Sequence, residues 1–132
     1  MNSSSTSLTQ AYDFTVEAAQ EGFDWDCALD AAKKVREELE EVIEELQKSD
    51  TPLRQQALEE EIGDLLLSCV CLAWHCNVKP DESLALGLDK FKKRYLQLKS
   101  YVKENGLSLQ EVSAKELSLL WNKLKQKKDI TR

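Results

Sequence analysis

Glycine and proline are scarce in this chain, four and two in 132 residues, which leaves little punctuation for the many turns of an all-β fold. Histidine occurs once, at His75, so a bundle that ligates metal through Glu-x-x-His pairs on two helices is excluded. There is no glycine-rich phosphate loop, no strand-like alternation and no internal repeat. The longest apolar run, Leu65 to Trp74, is interrupted by Ser68 and is too short to cross a bilayer, so no membrane partner is expected. Met1 to Ser7 has neither a basic start nor an apolar stretch. It reads as a disordered leader (1–7) to a single helical domain over 8–132. Cys69, Cys71 and Cys76 crowd into one apolar segment, where they are expected as small buried hydrophobes of a reduced, cytoplasmic protein.

What the chain does have is charge, unevenly placed. The net charge is −6. Residues 1–66 hold 17 acids against 5 bases, and residues 67–132 hold 7 against 13. An acidic protein is a poor ligand for a nucleic-acid backbone, so no nucleic-acid partner is expected. Carboxylates in one half and cations in the other could hold metal and phosphate together; the same counts also describe ordinary solvated helix faces.

Hydrophobic spacing predicts five helices: Leu8 to Gln20, about Cys27 to Lys48, Leu53 to Cys76, Asp81 to Glu104, and a last one from Ser113. Asp24 or Asp26 is available to cap the second, Pro52 suits the first turn of the third, and Asn105-Gly106 stops the fourth. Ser113 to Glu116 fits a capping box for the last. The fold class is all-α, a bundle of four to five helices.

The acids of the second and third helices sit in matched places. Setting Val35 of the stripe Val35, Leu39, Val42, Leu46 at zero, roughly 100° per residue puts Glu38 near −60° and Glu41 near −120°. In the stripe Leu58, Ile62, Leu65, Cys69, Leu72, Cys76, Glu61 and Asp64 take the same offsets from Leu58. Packed antiparallel, the two acidic shoulders can face each other, an arrangement that like-charge repulsion disfavours unless a cation enters. Oxygen donors without sulfur or imidazole suit Mg²⁺, with Mn²⁺ as a substitute. The same spacing also fits an acidic hairpin that merely displays charge.

Lys34 to Val42 (KVREELEEV) and Glu61 to Leu66 (EIGDLL) resemble the MazG nucleotide pyrophosphohydrolase family, whose signature is E-E-x-x-E followed by E-x-x-D. Glu37, Glu38 and Glu41 meet the first half, and Glu61 and Asp64 the second. Gly22 to Asp26 (GFDWD) looks like a relaxed form of the family's Cys-Pro-Trp-Asp leading segment. Lys90 to Tyr95 resembles its Lys-plus-Arg helix, and Gly106 through Trp121 to Lys125 resembles the tail of the longer members. The resemblance implies metal ligation by Glu38, Glu41, Glu61 and Asp64, with Glu60 orienting water. It implies phosphate contacts from Lys90 and Arg94 and closure on the nucleotide by Trp121 and Lys125; Lys34 and Trp25 join the expected substrate contacts. Two features depart from the family pattern: a His-Pro-His run is absent, and Ala57 stands where a basic residue is expected one turn before Glu61.

The implied reaction is Mg²⁺-dependent hydrolysis of a (deoxy)nucleoside triphosphate to monophosphate and pyrophosphate, as in nucleotide-pool housecleaning. The alternatives are a dUTPase-like or phosphoribosyl-ATP pyrophosphatase-like hydrolase on the same fold, or a non-catalytic helical interaction module. Trp121 falls on the stripe Leu117, Leu120, Trp121, Leu124 and suits packing as well as substrate. His75 is expected as a satisfied core or interface histidine. Beyond Asp64 the third helix is apolar almost all round, which predicts burial on every face and a homodimer or homotetramer.

Overall fold

The computed structural model describes residues 5–130, with side chains described as far as Gln126. Among them there are helices and turns and no strand: α1 (Ser7–Gln20), α2 (Ala28–Leu46), α3 (Pro52–His75), α4 (Pro80–Glu104), a 3₁₀ turn (Leu109–Glu111) and α5 (Ala114–Ile130). The all-α expectation holds, with helix boundaries within two residues of those read from spacing. Two compact units divide the chain, meeting between Ser83 and Leu84.

Local chemistry explains the boundaries. Thr6 caps α1 by accepting from the Thr9 N–H, so the helix starts at Ser7; residues 1–4 of the expected leader lie outside the described residues. Thr51 accepts from the Arg54 N–H and Pro52 occupies the first turn of α3, where its missing N–H costs nothing. Three helices end in the same way. The Phe23 N–H reaches back to the Ala18 carbonyl, Val78 to Ala73 and Leu107 to Val102, around Gly22, Asn77 and Gly106 at positive φ. The Ser113 hydroxyl accepts from the Glu116 N–H as expected, but the reciprocal capping box stands earlier, at Ser108 and Glu111. Neither Asp24 nor Asp26 caps α2. Its N-cap is Cys27, without a side-chain bond, because the Asp24 carboxylate is engaged elsewhere.

In the first unit α2 and α3 form the most extensive helix pair and α1 packs on α3. Glu38 meets Glu61 and Asp64, while Glu45 lines the same surface as Ala57, so the two helices run antiparallel. The faces differ from those read off the spacing. On α2 the buried residues are Ala31, Glu38 and Val42, whereas Leu39 and Leu46 are 45% and 54% exposed. On α3 they are Leu58, Ser68 and Val70, whereas Ile62, Cys69 and Cys76 are exposed. The cysteines are therefore free thiols, and none is fully buried. Each stripe is thus only partly covered: Val42 and Leu58 are buried and Val35, Leu65 and Leu72 half-buried, while the members on the outer edge of the same stripes stay exposed. Of the apolar segment beyond Asp64, expected to be buried on every face, Val70 is buried on a helix that α1 partly covers, while Leu66 and Leu67 stay exposed.

In the second unit Leu98 and Val102 of α4 are buried, and Val102 shares a cavity wall with Val112, Leu119 and Leu120.

Candidate metal centre

The α2–α3 pair brings three carboxylates together. Glu38, Glu61 and Asp64 each offer an oxygen, and these atoms all lie within 4.8 Å of one another. Glu38 is itself buried, at 7% exposure, an unusual place for an acid. One Glu38 oxygen, Oε1, accepts from the Lys34 ammonium at 3.1 Å. The other, Oε2, is buried without a partner, as is Oε2 of Glu61. A buried carboxylate oxygen with nothing to accept from carries a large desolvation cost. Two such atoms on residues of one acidic cluster fit a divalent cation bound by oxygen alone.

Glu41 stands at the rim of this cluster. Its hydrogen bond with Glu61, and then the hydrogen bond and charge of Glu38, push its pKa up to about 7. Two carboxylates can hydrogen-bond only by sharing a proton, so the pair retains one well above the usual carboxylate range. The Lys34 pKa is raised in turn, mainly by its hydrogen bond and charge interaction with Glu38. Ammonium and proton thus offset part of the repulsion that a cation would neutralise.

The remaining expected residues divide between the units. Glu60 is exposed on α3 and does not belong to the cluster of three. Trp25 lies in the loop between α1 and α2, edge-on to Phe23 with ring centroids 6.2 Å apart, and both line a cavity shared with α1 and α3. In the second unit Lys90 is exposed on α4. One turn on, the Arg94 guanidinium lies 5.1 Å from the centre of the Trp121 ring. Phe91 packs on the same indole, centroids also 5.1 Å apart, so Trp121 is a packing residue and an arginine platform at once. Lys125 is exposed on α5.

Two residues beside the centre were not singled out from spacing. Lys48 is bound to Glu45 at 2.7 Å, and its pKa is raised chiefly by that partner, with Glu61 contributing. Arg54 pairs with Asp50 at 3.4 Å, leaving its Nε buried and unpartnered. The signal was available: both flank the α2–α3 turn, where an antiparallel hairpin carries side chains back toward Ala57 and Glu61.

Carboxylates supplied by two antiparallel neighbours, without histidine or cysteine, define an all-α protein with an oxygen-ligand centre. The chain belongs to the MazG nucleotide pyrophosphohydrolase domain family, which matches residues 29–99. That span contains all four shoulder carboxylates together with Lys90 and Arg94, while Trp25, Trp121 and Lys125 lie outside it. The chain is similar to the nucleoside triphosphate pyrophosphohydrolase/pyrophosphatase MazG of Thermotoga maritima, 35% identical over 118 residues, 89% of this chain and 44% of that protein. It is 32% identical over 119 residues to the nucleoside triphosphate pyrophosphohydrolase of Escherichia coli K12, covering 90% of this chain and again 44% of the relative. An uncharacterized Bacillus subtilis protein, YabN, is 33% identical over 78 residues, 59% of this chain and 16% of that protein. The chain thus spans less than half the length of the two pyrophosphohydrolases it matches. No single helix among the described residues is long and apolar enough to cross a membrane.

Proposed function

We propose that this chain hydrolyses (deoxy)nucleoside triphosphates to the monophosphate and pyrophosphate with Mg²⁺, for which Mn²⁺ can substitute, in cytoplasmic nucleotide-pool housecleaning. The observation that carries the reading is the convergence of Glu38, Glu61 and Asp64, two of which have a buried carboxylate oxygen without a partner. Those three residues, with Glu41 at the rim, would hold the cation. Mg²⁺ bound there supplies positive charge that polarises phosphate oxygens and acidifies water.

The chain's own residues do the rest. Phosphoryl transfer needs positioning and charge compensation more than covalent chemistry. Glu41, at the rim of the cluster beside Glu38 and Glu61, is the carboxylate placed to take a proton from an attacking water. Glu60 orients that water from the outer rim. Lys34, held on Glu38, offsets charge as phosphate approaches. Lys90 and Arg94 compensate the departing pyrophosphate, and Trp121, Lys125 and Trp25 bind the nucleotide; these roles rest on the family resemblance.

The working form is a homodimer or homotetramer. Leu39, Ile43 and Leu46 form one exposed row on α2 at i, i+4, i+7, and Ile62, Leu66 and Cys69 form the same row on α3. Exposed apolar rows of this kind make a surface that monomers avoid, and a second copy presenting the same rows covers it.

Pyrophosphate release across the (deoxy)nucleoside triphosphates, dUTP and phosphoribosyl-ATP, with and without Mg²⁺, tests the reading. Chromatography should give monophosphate and pyrophosphate. A diphosphate product, or no metal-dependent turnover of any substrate, overturns it.

A further inference from the structure

Residues 5–83 contain a second built feature, next to the carboxylates. A cavity of about 550 Å³ is walled by α1 through Phe14 and Thr15, by the α1–α2 loop through Phe23 and Trp25, and by α3 through Leu67 and Cys71. Leu67 and Cys71 follow Asp64 by three and seven residues, so the three share a face of α3. At 1.5 Å per residue, Leu67 is only about 4.5 Å and Cys71 about 10.5 Å further along the axis.

The loop wall has no regular structure of its own, and Phe23 is well exposed. Asp24 ties it down. Its Oδ1 accepts from the Trp25 N–H at 2.8 Å and from His75 Nε2 at 2.6 Å. A carboxylate only accepts, so Nε2 carries the proton. The His75 side chain is 9% exposed and stands edge-on to Trp74, so it is an anchored donor at the end of α3. A surface aspartate could be satisfied by water; this one is committed to a short bond that spans 51 residues of chain and sets where Phe23 and Trp25 lie.

We propose that the Asp24–His75 hydrogen bond is a positioning device for nucleotide binding, holding Phe23 and Trp25 across the cavity so that it takes the base of the substrate. The proposal rests on the pyrophosphohydrolase reading, which puts the phosphates at Asp64, one turn away. A flat base suits aromatic walls, because every base has a face that stacks. Few polar groups line the cavity: the Thr15 hydroxyl donates to the Ala11 carbonyl, and Asp24 Oδ1 accepts from His75 and the Trp25 N–H.

The test uses the full chain, with helicity checked for every variant. His75→Ala and Asp24→Ala should raise KM about tenfold, the scale of losing a charge-assisted hydrogen bond, with kcat little changed. His75→Gln, whose amide can still donate to Asp24, should restore most of the loss. Unphosphorylated adenosine or cytidine, added without metal, should quench tryptophan emission in the wild type and far less in Trp25→Phe and His75→Ala. A fall in kcat at constant KM, failure of His75→Gln to rescue, or no quenching by either nucleoside overturns the proposal. So does a change in oligomer mass in place of KM, which would show a second copy filling the cavity. Nucleoside quenching that depends on His75, in a protein that hydrolyses no triphosphate, would retain the cavity and refute the reaction; turnover without quenching does the reverse.

Discussion

Glu38 of α2 and Asp64 of α3 place ligand oxygens within 4.8 Å of each other and of Glu61, across the antiparallel pair. Acids packed this closely across a helix hairpin oppose folding unless their charge is compensated. Here Lys34 and a shared proton compensate part of it.

Glu38→Gln and Asp64→Asn should therefore lower kcat/KM by at least about a hundredfold, the upper end for losing even an outer-sphere partner of a metal site. Helicity should be unchanged, and metal-free stability equal or higher, since each variant removes a repelling charge. Glu40→Gln, on the exposed face of α2, should change kcat/KM by less than about twofold. Steady-state kinetics with circular dichroism decides; equal losses in all three variants would refute the assignment of faces.

Glu41 predicts how the metal-free protein responds to pH. Its folded pKa of about 7 lies above the ordinary 4.5 of a glutamate side chain. The folded state thus binds this proton more tightly than the unfolded chain does. Its stabilising contribution is complete below about pH 4.5 and is lost as pH rises to about 7. Without metal, Tm should fall across that window, and Glu41→Gln should flatten the fall. Mg²⁺ should raise Tm most at the alkaline end, where the carboxylates are ionised. A Tm that rises equally with Mg²⁺ at both ends contradicts this.

The apolar rows on α2 and α3 predict association. Burying Leu39, Leu46 and Leu66 would contribute on the order of 1.5–3 kcal/mol each, enough to couple folding to assembly. Leu66, 57% exposed, is the position to test. Light scattering should give a dimer or larger for the wild type at micromolar concentration and a smaller species for Leu66→Glu. A wild-type monomer near 15.1 kDa would refute it.

Trp121 should matter to stability before it matters to substrate. Losing its contacts with Phe91 and the Arg94 guanidinium in Trp121→Leu should cost about 1 kcal/mol or more. Arg94→Lys keeps the charge but not the flat stacking group, and should raise KM for nucleotide several-fold with little effect on Tm. Thermal melts beside kinetics separate the two effects; a KM effect from Trp121→Leu with no change in Tm would mean that the indole contacts only substrate.

Much was legible in the residues themselves. Thr51 and Pro52 start a helix, and Gly22 and Gly106 end one, through contacts within a few residues, so local chemistry determines where α1, α3 and α4 begin or stop. The E-x-x-E and E-x-x-D spacings likewise determine that Glu38 with Glu41, and Glu61 with Asp64, share a helix side, because a helix turns about 100° per residue whatever surrounds it. Spacing could not determine which side faces the neighbour. The stripe of Leu39, Val42 and Leu46 is real, but only Val42 of it is buried, together with Ala31 and Glu38, and only packing two helices against each other decides that. The same holds for Asp24. Sequence proximity favoured a helix cap, whereas the folded chain brings His75 to it from 51 residues away, and a buried imidazole donor outcompetes a solvated helix end for one carboxylate.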